Sequence, residues 1–290
     1  MSFRTVLVTS KCKLSYKNEH LYVRSDDLKL IHLSEIEMLI IDSTQVVITT
    51  YLLCELVKHK IYIVFCDETH NPQSQLLSLY GSYNTSKKLN KQLNWDVTTK
   101  EFVWTSIVTE KIRKQSQLLK ANSKEESSIL EGYYKGTEQN DPTNREGHAA
   151  KVYFNALFGK SFTRDNCSSI NKALDYGYSI ILSCFNKEVV SNGYFTQLGI
   201  WHKSEFNQFN LSSDLMEPFR ILIDEYVFRN QDREFNTSYK QDLINILNRT
   251  VNINKKEQYV TNAIKIYVKS IFDSLDKNSV NSIKFYETKF

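Results

Sequence analysis

An aromatic-flanked histidine, His202 in Gly199-Ile200-Trp201-His202, stands fifteen residues before Glu217 in Asp214-Leu215-Met216-Glu217-Pro218-Phe219-Arg220. A second glutamate, Glu146, enters a helical pattern upstream, in Thr143-Asn144-Arg145-Glu146-Gly147-His148-Ala149-Ala150. One imidazole and two carboxylates from three separate segments suit Mg²⁺ or Mn²⁺, hard cations that prefer oxygen and accept a nitrogen. The chemistry such a set supports is metal-assisted attack on a phosphodiester. No Ser-His-Asp arrangement, P-loop or G-x-G-x-x-G fingerprint stands out, so acyl transfer and nucleotide hydrolysis lack support.

Each carboxylate also has a local explanation. Thr143 and Glu146 are spaced as in a capping box, and so are Asp214 and Glu217. Against the first, Glu146 shares a helix face with Ala149, Ala150, Tyr153 and Leu157, and a charge in line with an apolar stripe needs a partner or a metal. Gly147 lowers helix stability, which suits a close approach to the backbone, and Gly199 suits one just before Trp201. Asp214 and Glu217 fall on one helical face, one to bind metal and the other to orient a ligand or water. Arg220, three residues on, neutralises that pair or touches phosphate. His148 is a rival imidazole but lies about 200° around the helix from Glu146. Spacing alone leaves caps and metal ligands as open alternatives.

The elements that must position these groups fall into two parts. Residues 1–72 read as a small β-rich domain with strands near 2–9, 14–16, 20–24, 36–41, 46–49 and 61–67 and one helix over 50–59. After Asn71-Pro72, residues 73–290 read as a larger all-α domain. Its helices fall near 76–80, 87–93, 102–119, 127–134, from 143, and over 168–186, 222–228, 239–247 and 257–275. The fold class is α+β. Only eight Gly and three Pro in 290 residues agree with long helices. The five cysteines are scattered without a C-x-x-C and read as free thiols in a reducing compartment. Absence of a signal sequence or a membrane-length apolar run points to a cytoplasmic protein with no membrane partner.

Residues 1–72 carry eight Lys/Arg against nine Asp/Glu, and 73–290 carry 29 against 24. That mild basic excess is compatible with phosphate binding without demanding it, and for the nine Lys/Arg between positions 87 and 124 a solvated helix face is favoured over a backbone-tracking one. Charge and position single out Lys87, Lys88, Lys91, Arg113, Arg145 and Lys151 as candidate DNA-backbone contacts.

Several motifs in order resemble one family, the CRISPR-associated integrase that is the universal catalytic subunit of spacer acquisition. The run from Glu146 to Phe154 is similar to its E-G-x-A-A-x-x-Y-F helix, and Asn171 to Tyr178 to its N-x-x-L-x-Y-x-Y segment. Leu198 to His202 resembles its glycine-then-histidine element, Asp214 to Arg220 its D-L-M-E-x-F-R helix, and Lys111-Ile112-Arg113-Lys114-Gln115 its K-I-x-N-Q motif, with Lys114 in place of asparagine. The resemblance covers nearly the whole chain and is strongest to the type II branch. It implies Glu146, His202 and Glu217 as catalytic metal ligands for Mg²⁺ or Mn²⁺, with Asp214 and Arg220 supporting them from behind. It implies an enzyme that joins 3′-OH ends of short double-stranded DNA into a CRISPR repeat by transesterification. It also implies a homodimer, two copies of which are bridged by a dimer of a small ferredoxin-like subunit, with other type II adaptation proteins as further partners. A stand-alone nuclease acting on branched DNA, or a non-catalytic DNA-binding scaffold with the two glutamates as caps, are the alternatives.

Overall fold

A computed structural model of the chain describes residues 4–76, 78, 83–166 and 168–288. The N-terminal part runs β1 (Arg4–Val8), β2 (Lys13–Lys17), β3 (His20–Arg24), β4 (Leu28–His32), β5 (Ile36–Ile41), β6 (Val47–Ile48), α1 (Thr50–Lys58), β7 (Tyr62–Cys66) and β8 (Pro72–Leu76). These strands make two four-stranded sheets, ordered β1-β5-β7-β8 and β4-β3-β2-β6. Asn18 and Glu19 close the β2–β3 hairpin with φ of 49° and 61°, the two positive values that a tight primed turn requires. β5 and β7 pair in parallel, which demands a crossover, and the segment holding β6 and α1 supplies it.

The continuous apolar runs of β5 and β7 are explained by burial on both faces. Met38, Ile40, Tyr62 and Val64 point into the core of the helical part, while Leu39, Ile41 and Ile63 point into the core shared with the second sheet. Side chains alternate across a strand, so one sheet serves as a wall for two cores. The helical part is therefore built directly on the β-part rather than tethered to it.

Beyond β8 come α2 (Thr85–Leu93), α3 (Val97–Ala121), α4 (Ser127–Lys135), α5 (Arg145–Phe158), α6 (Ser169–Ser191), α7 (Asn210–Met216), α8 (Ile221–Arg229) and α9 (Thr237–Asn245). They are followed by β9 (Thr250–Ile253), β10 (Lys256–Tyr259), α10 (Val260–Lys277) and β11 (Tyr286–Glu287). Asp96 caps α3, its carboxylate accepting from the Thr99 amide at 2.7 Å. The two long helices organise the rest: α3 packs against α4, α5, α7, α8 and α10, and α6 against α7, α8, α9, α10 and the strands β7 and β8.

The α+β class stands, with differences in detail, among them the added strand β4 and the fact that the larger part is not all-α. Residues 250–259 and 286–287 form a small three-stranded antiparallel sheet, ordered β10-β9-β11, among the helices. The helix expected from 257 accordingly starts at Val260, because Glu257 pairs with Asn252 and Tyr259 with Thr250. Leu76, expected in a helix, ends β8 and pairs with Ile63, and the rest of that expected helix lies largely outside the described residues. β8 also begins at Pro72, so it straddles position 72 and completes the first sheet. Among the described residues Cys12, Cys54, Cys66 and Cys184 are free, and no helix is long and apolar enough to cross a membrane.

Candidate active site

Glu146 is the second residue of α5. The helix is capped by Asn144, in left-handed conformation, whose side-chain oxygen accepts from Gly147 N, while the Asp141 carboxylate accepts from the amides of Arg145 and Glu146 at 2.7 and 2.9 Å. The free N-terminal amides are thus served by Asn144 and Asp141, and Thr143 instead accepts from Arg145 Nε at 3.2 Å. Glu146 makes no capping box, and its carboxylate projects toward α3. Gly147 has a local cause: a Cβ there would sit 2.7 Å from the Asn144 side chain, so glycine makes room for the cap.

Asp214 lies within α7 and is fully buried. Its Oδ2 accepts from the amides of Ile200 and Trp201 at 2.6 and 2.9 Å, and its Oδ1 from the amide of His202 at 3.2 Å and from His202 Nδ1 at 2.5 Å. A carboxylate offers about four acceptor positions, and all are taken by one loop. The contact sets the tautomer: Nδ1 carries the proton toward Asp214, and Nε2 is left to accept. Gly199 makes this wrapping possible, since a Cβ there would meet the His202 carbonyl at 2.3 Å and Asp214 Oδ2 at 2.9 Å. The imidazole rests edge-on against Trp104 of α3, with centroids 5.8 Å apart, and Trp104 in turn stacks on Trp201 at 5.5 Å and 4°. The hydrogen bond donated to Asp214, with the charges of Asp214, Glu217 and Glu146, holds the His202 pKa above the ordinary imidazole value despite partial burial.

Glu217 follows α7 and opens a 3₁₀ turn, Glu217–Phe219, with Pro218 in its first positions. The break in helical period separates it from Asp214, so the two carboxylates serve different partners although they are three residues apart. The turn is pinned from behind. Tyr286 of β11 donates its hydroxyl to the Pro218 carbonyl at 2.8 Å and stacks on Phe219 with centroids 4.3 Å apart. Tyr286 is held in turn by Lys114, a fully buried lysine whose Nζ donates to the Tyr286 carbonyl at 2.6 Å and lies 3.3 Å from Glu110. Lys114, standing where the K-I-x-N-Q motif has asparagine, therefore ties the C-terminal strand to α3.

The two glutamates meet at a residue that the sequence shows only as part of a motif. Lys111 Nζ on α3 lies 2.6 Å from Glu146 Oε1 and 2.5 Å from Glu217 Oε2. Both oxygens touch one nitrogen, so they lie within about 5 Å of each other. Glu217 Oε1 is 3.0 Å from Arg220 Nη2, while its buried Oε2 has the Lys111 ammonium as its partner. Burial alone would raise the Glu217 pKa, but Arg220 and Lys111 outweigh it and hold the carboxyl below its usual range. Arg220 lies over the Tyr178 ring at 4.8 Å. A cavity of about 190 Å³ opens beside Glu217, lined among others by Lys111, Arg164, Tyr178, Arg220 and Asp224. Asp224 accepts from the hydroxyls of Tyr153 and Tyr178 at 3.0 and 2.5 Å, and burial pushes its carboxyl up to about 6.

Lys111 could have been found from spacing: it stands seven residues after Trp104, on the same helix face. Among the described residues no three of His, Cys, Asp and Glu are arranged around a common point at metal-binding distance, and Lys111 stands between the two glutamates. The donor types nevertheless fit a hard divalent cation: two facing carboxylates that already share one cationic partner, and an imidazole whose Nδ1 is taken by Asp214.

The candidate DNA contacts separate by geometry. Lys88 and Lys91 both pair with Asp276 of α10 at 3.1 Å, and Arg113 is held by both oxygens of Glu110 at 2.8 and 2.7 Å. These three have partners within the fold. Lys87 and Lys151 are exposed, and Arg145 lies over the Tyr133 ring at 5.4 Å, one residue from Glu146. His148 is exposed on α5.

The sequence profile of the family described as "CRISPR associated protein Cas1" matches residues 5–258. The "CRISPR-associated endonuclease Cas1" of Neisseria meningitidis serogroup C (strain 8013) is 30% identical over 295 residues, covering 99% of this chain and 97% of that protein. Among solved structures, a chain of a Cas6-RT-Cas1–Cas2 complex superposes with a TM-score of 0.73 at 19% identity over 99% of this chain; that protein is longer, and the match spans 36% of it. A casposase bound to its integration product superposes with a TM-score of 0.76 at 17% identity, over 96% of this chain and 92% of the other. At such identities these two likenesses establish the fold. Together with the profile and the near full-length relative, they place this chain in the CRISPR-associated Cas1 family.

Proposed function

We propose that this chain is a divalent-metal-dependent DNA integrase and endonuclease that joins the 3′-OH ends of short duplex DNA into a CRISPR repeat. The observation that carries this reading is the convergence of Glu146 and Glu217 onto one point, about 5 Å apart at most, beside an imidazole whose tautomer Asp214 dictates. The near full-length Neisseria relative, named an endonuclease, and the fold shared with a casposase on its integration product support it.

Glu146, Glu217 and His202 Nε2 would hold Mg²⁺ or Mn²⁺. Such an ion would polarise the scissile phosphate and acidify the attacking hydroxyl. The protein's share is positional and electrostatic. Asp214 keeps His202 in the tautomer that can ligate. Arg220 keeps Glu217 ionised and, with Arg164 and Lys111, lines the adjoining cavity with positive charge suited to a phosphodiester. In the transfer, the incoming 3′-oxygen forms a bond to phosphorus as the repeat strand's P–O3′ bond breaks. One proton leaves the attacking hydroxyl and one reaches the departing 3′-oxygen, so no high-energy cofactor is consumed.

The active assembly is a pair of homodimers bridged by a dimer of a small ferredoxin-like subunit, with double-stranded DNA laid across it and other type II adaptation proteins taking part. Likeness to a chain of a Cas1–Cas2-containing complex supports a second Cas subunit. Apolar surface on the β-part, with Leu28, Leu30, Val47 and Tyr51 half or more exposed, supports protein contacts there. Lys87, Arg145 and Lys151 are the basic residues best placed for DNA backbone.

The test incubates the protein and its small partner with a supercoiled repeat plasmid and short duplexes, with Mn²⁺ or EDTA. Metal-dependent joining that is lost in Glu146→Gln, His202→Ala and Glu217→Gln, all folded, is the expected result. Cutting without joining would assign a nuclease, and joining in EDTA or in all three variants would overturn the site.

A further inference from the structure

Lys111 is more than a neighbour of the two glutamates: it stands in the space between them. Its Nζ is within 2.6 Å of an oxygen of each, which leaves no room between those oxygens for another cation. We infer that Lys111 is a built-in placeholder that neutralises Glu146 and Glu217 in the metal-free protein, so that a divalent ion enters by exchange, driving the ammonium out of the carboxylate pair. This rests on the metal site proposed above and adds a gate to it.

Three observations argue for exchange over a permanent salt bridge. First, charge: with Lys111 and Arg220 in place, two cations offset two glutamates, so little net field remains to draw in a divalent ion. Second, geometry: one ammonium is shared by both carboxylates, Nζ lying 2.6 Å from Glu146 Oε1 and 2.5 Å from Glu217 Oε2, which is the position a single cation held by the two glutamates would take. Third, room: Lys111 and Glu217 line the same cavity of about 190 Å³ with Arg164 and Arg220, so the flexible lysine stem has somewhere to go without repacking α3. The same contact explains how two glutamates, one of them almost wholly buried, are tolerated side by side in the metal-free fold.

The test is Mn²⁺ binding by titration calorimetry, with thermal unfolding alongside, in wild type, Lys111→Met and Lys111→Arg. Removing the placeholder should lower the metal-free Tm while tightening Mn²⁺ binding at least tenfold and enlarging the Tm rise that Mn²⁺ gives. Arginine, which grips two carboxylates more firmly, should weaken Mn²⁺ binding below wild type, and this arm stands even if the methionine variant does not fold. Unchanged or weaker binding in Lys111→Met, or unchanged binding in Lys111→Arg, overturns the placeholder while leaving the metal site intact. Absence of Mn²⁺ binding in wild type and every variant overturns both.

Discussion

Replacing Asp214 with Asn probes how the imidazole is held. Asp214 Oδ2 serves the amides of Ile200 and Trp201, and Oδ1 serves the amide and the Nδ1 of His202. An amide side chain has one acceptor oxygen and one NH₂, so in either orientation two of these four donors face another donor. The orientation that keeps Ile200 and Trp201 turns the NH₂ on His202. The ring can then retain its contact only by moving its proton from Nδ1 to Nε2, the nitrogen needed for the metal. Hydrogen bonds to a charged acceptor contribute about 1.5–3 kcal/mol each, so two of them amount to about 3–6 kcal/mol. For a chain of this size that is a fall in Tm of order 10 °C. Losing the group behind a ligating imidazole also weakens metal binding by about 10–100-fold. Calorimetric unfolding and Mn²⁺ titration read the two effects, and ¹⁵N-histidine spectra read the tautomer. The variant should show all three changes. If it keeps the wild-type Tm, Mn²⁺ affinity and Nδ1–H signal, the assignment of Asp214 as the group that orients His202 is refuted.

Two glycines in the site regions should behave differently. Gly199→Ala drives a Cβ to 2.3 Å from the His202 carbonyl, which is backbone and cannot yield without opening the loop around Asp214; it should cost about 3 kcal/mol or more and abolish Mn²⁺ binding. Gly147→Ala meets only the Asn144 side chain at 2.7 Å, which can rotate away, so it should cost about 1 kcal/mol, the worth of a helix cap, and leave binding intact. Unfolding in urea and Mn²⁺ titration of the two variants check this contrast. Lys114 gives a pH signature. Burial pulls its ammonium down to about 8 from the ordinary 10.5, so the unfolded chain binds that proton more tightly than the folded one. The stability it contributes therefore rises with pH between about 8 and 10.5, by up to about 3 kcal/mol. Across that window wild type should gain on Lys114→Met in urea unfolding, and a difference independent of pH would refute the buried-ammonium reading.

Local pattern determined much of this protein. Continuous apolar runs located β5 and β7, which are buried on both faces, and apolar residues at helical intervals located α1 and α6, because strongly buried elements advertise it in the order of their residues. The candidate groups Glu146, His202 and Glu217 were legible as types, and their motifs as a family resemblance. Short elements were not. β9, β10 and β11 have little apolar periodicity of their own and exist through pairing with one another, so Glu257 to Tyr259 read as the start of the helix that follows. Sequence spacing also left cap and ligand equally open for both glutamates, since either role needs the same residue at the same offset. Only the tertiary structure removed the caps, by giving α5 other capping groups, by placing Asp214 inside α7 instead of at a helix start, and by bringing α3 across both carboxylates. It likewise separated Asp214 from Glu217, which share a helix face on paper but are parted by the change from α to 3₁₀ winding. Lys88, Lys91 and Arg113 read as basic surface until carboxylates took them up, Glu110 locally and Asp276 meeting both lysines only through folding, from 185 or more residues away. Charge and hydrogen-bond partners are set by distance in space, and distance in space is what a linear order of residues does not carry.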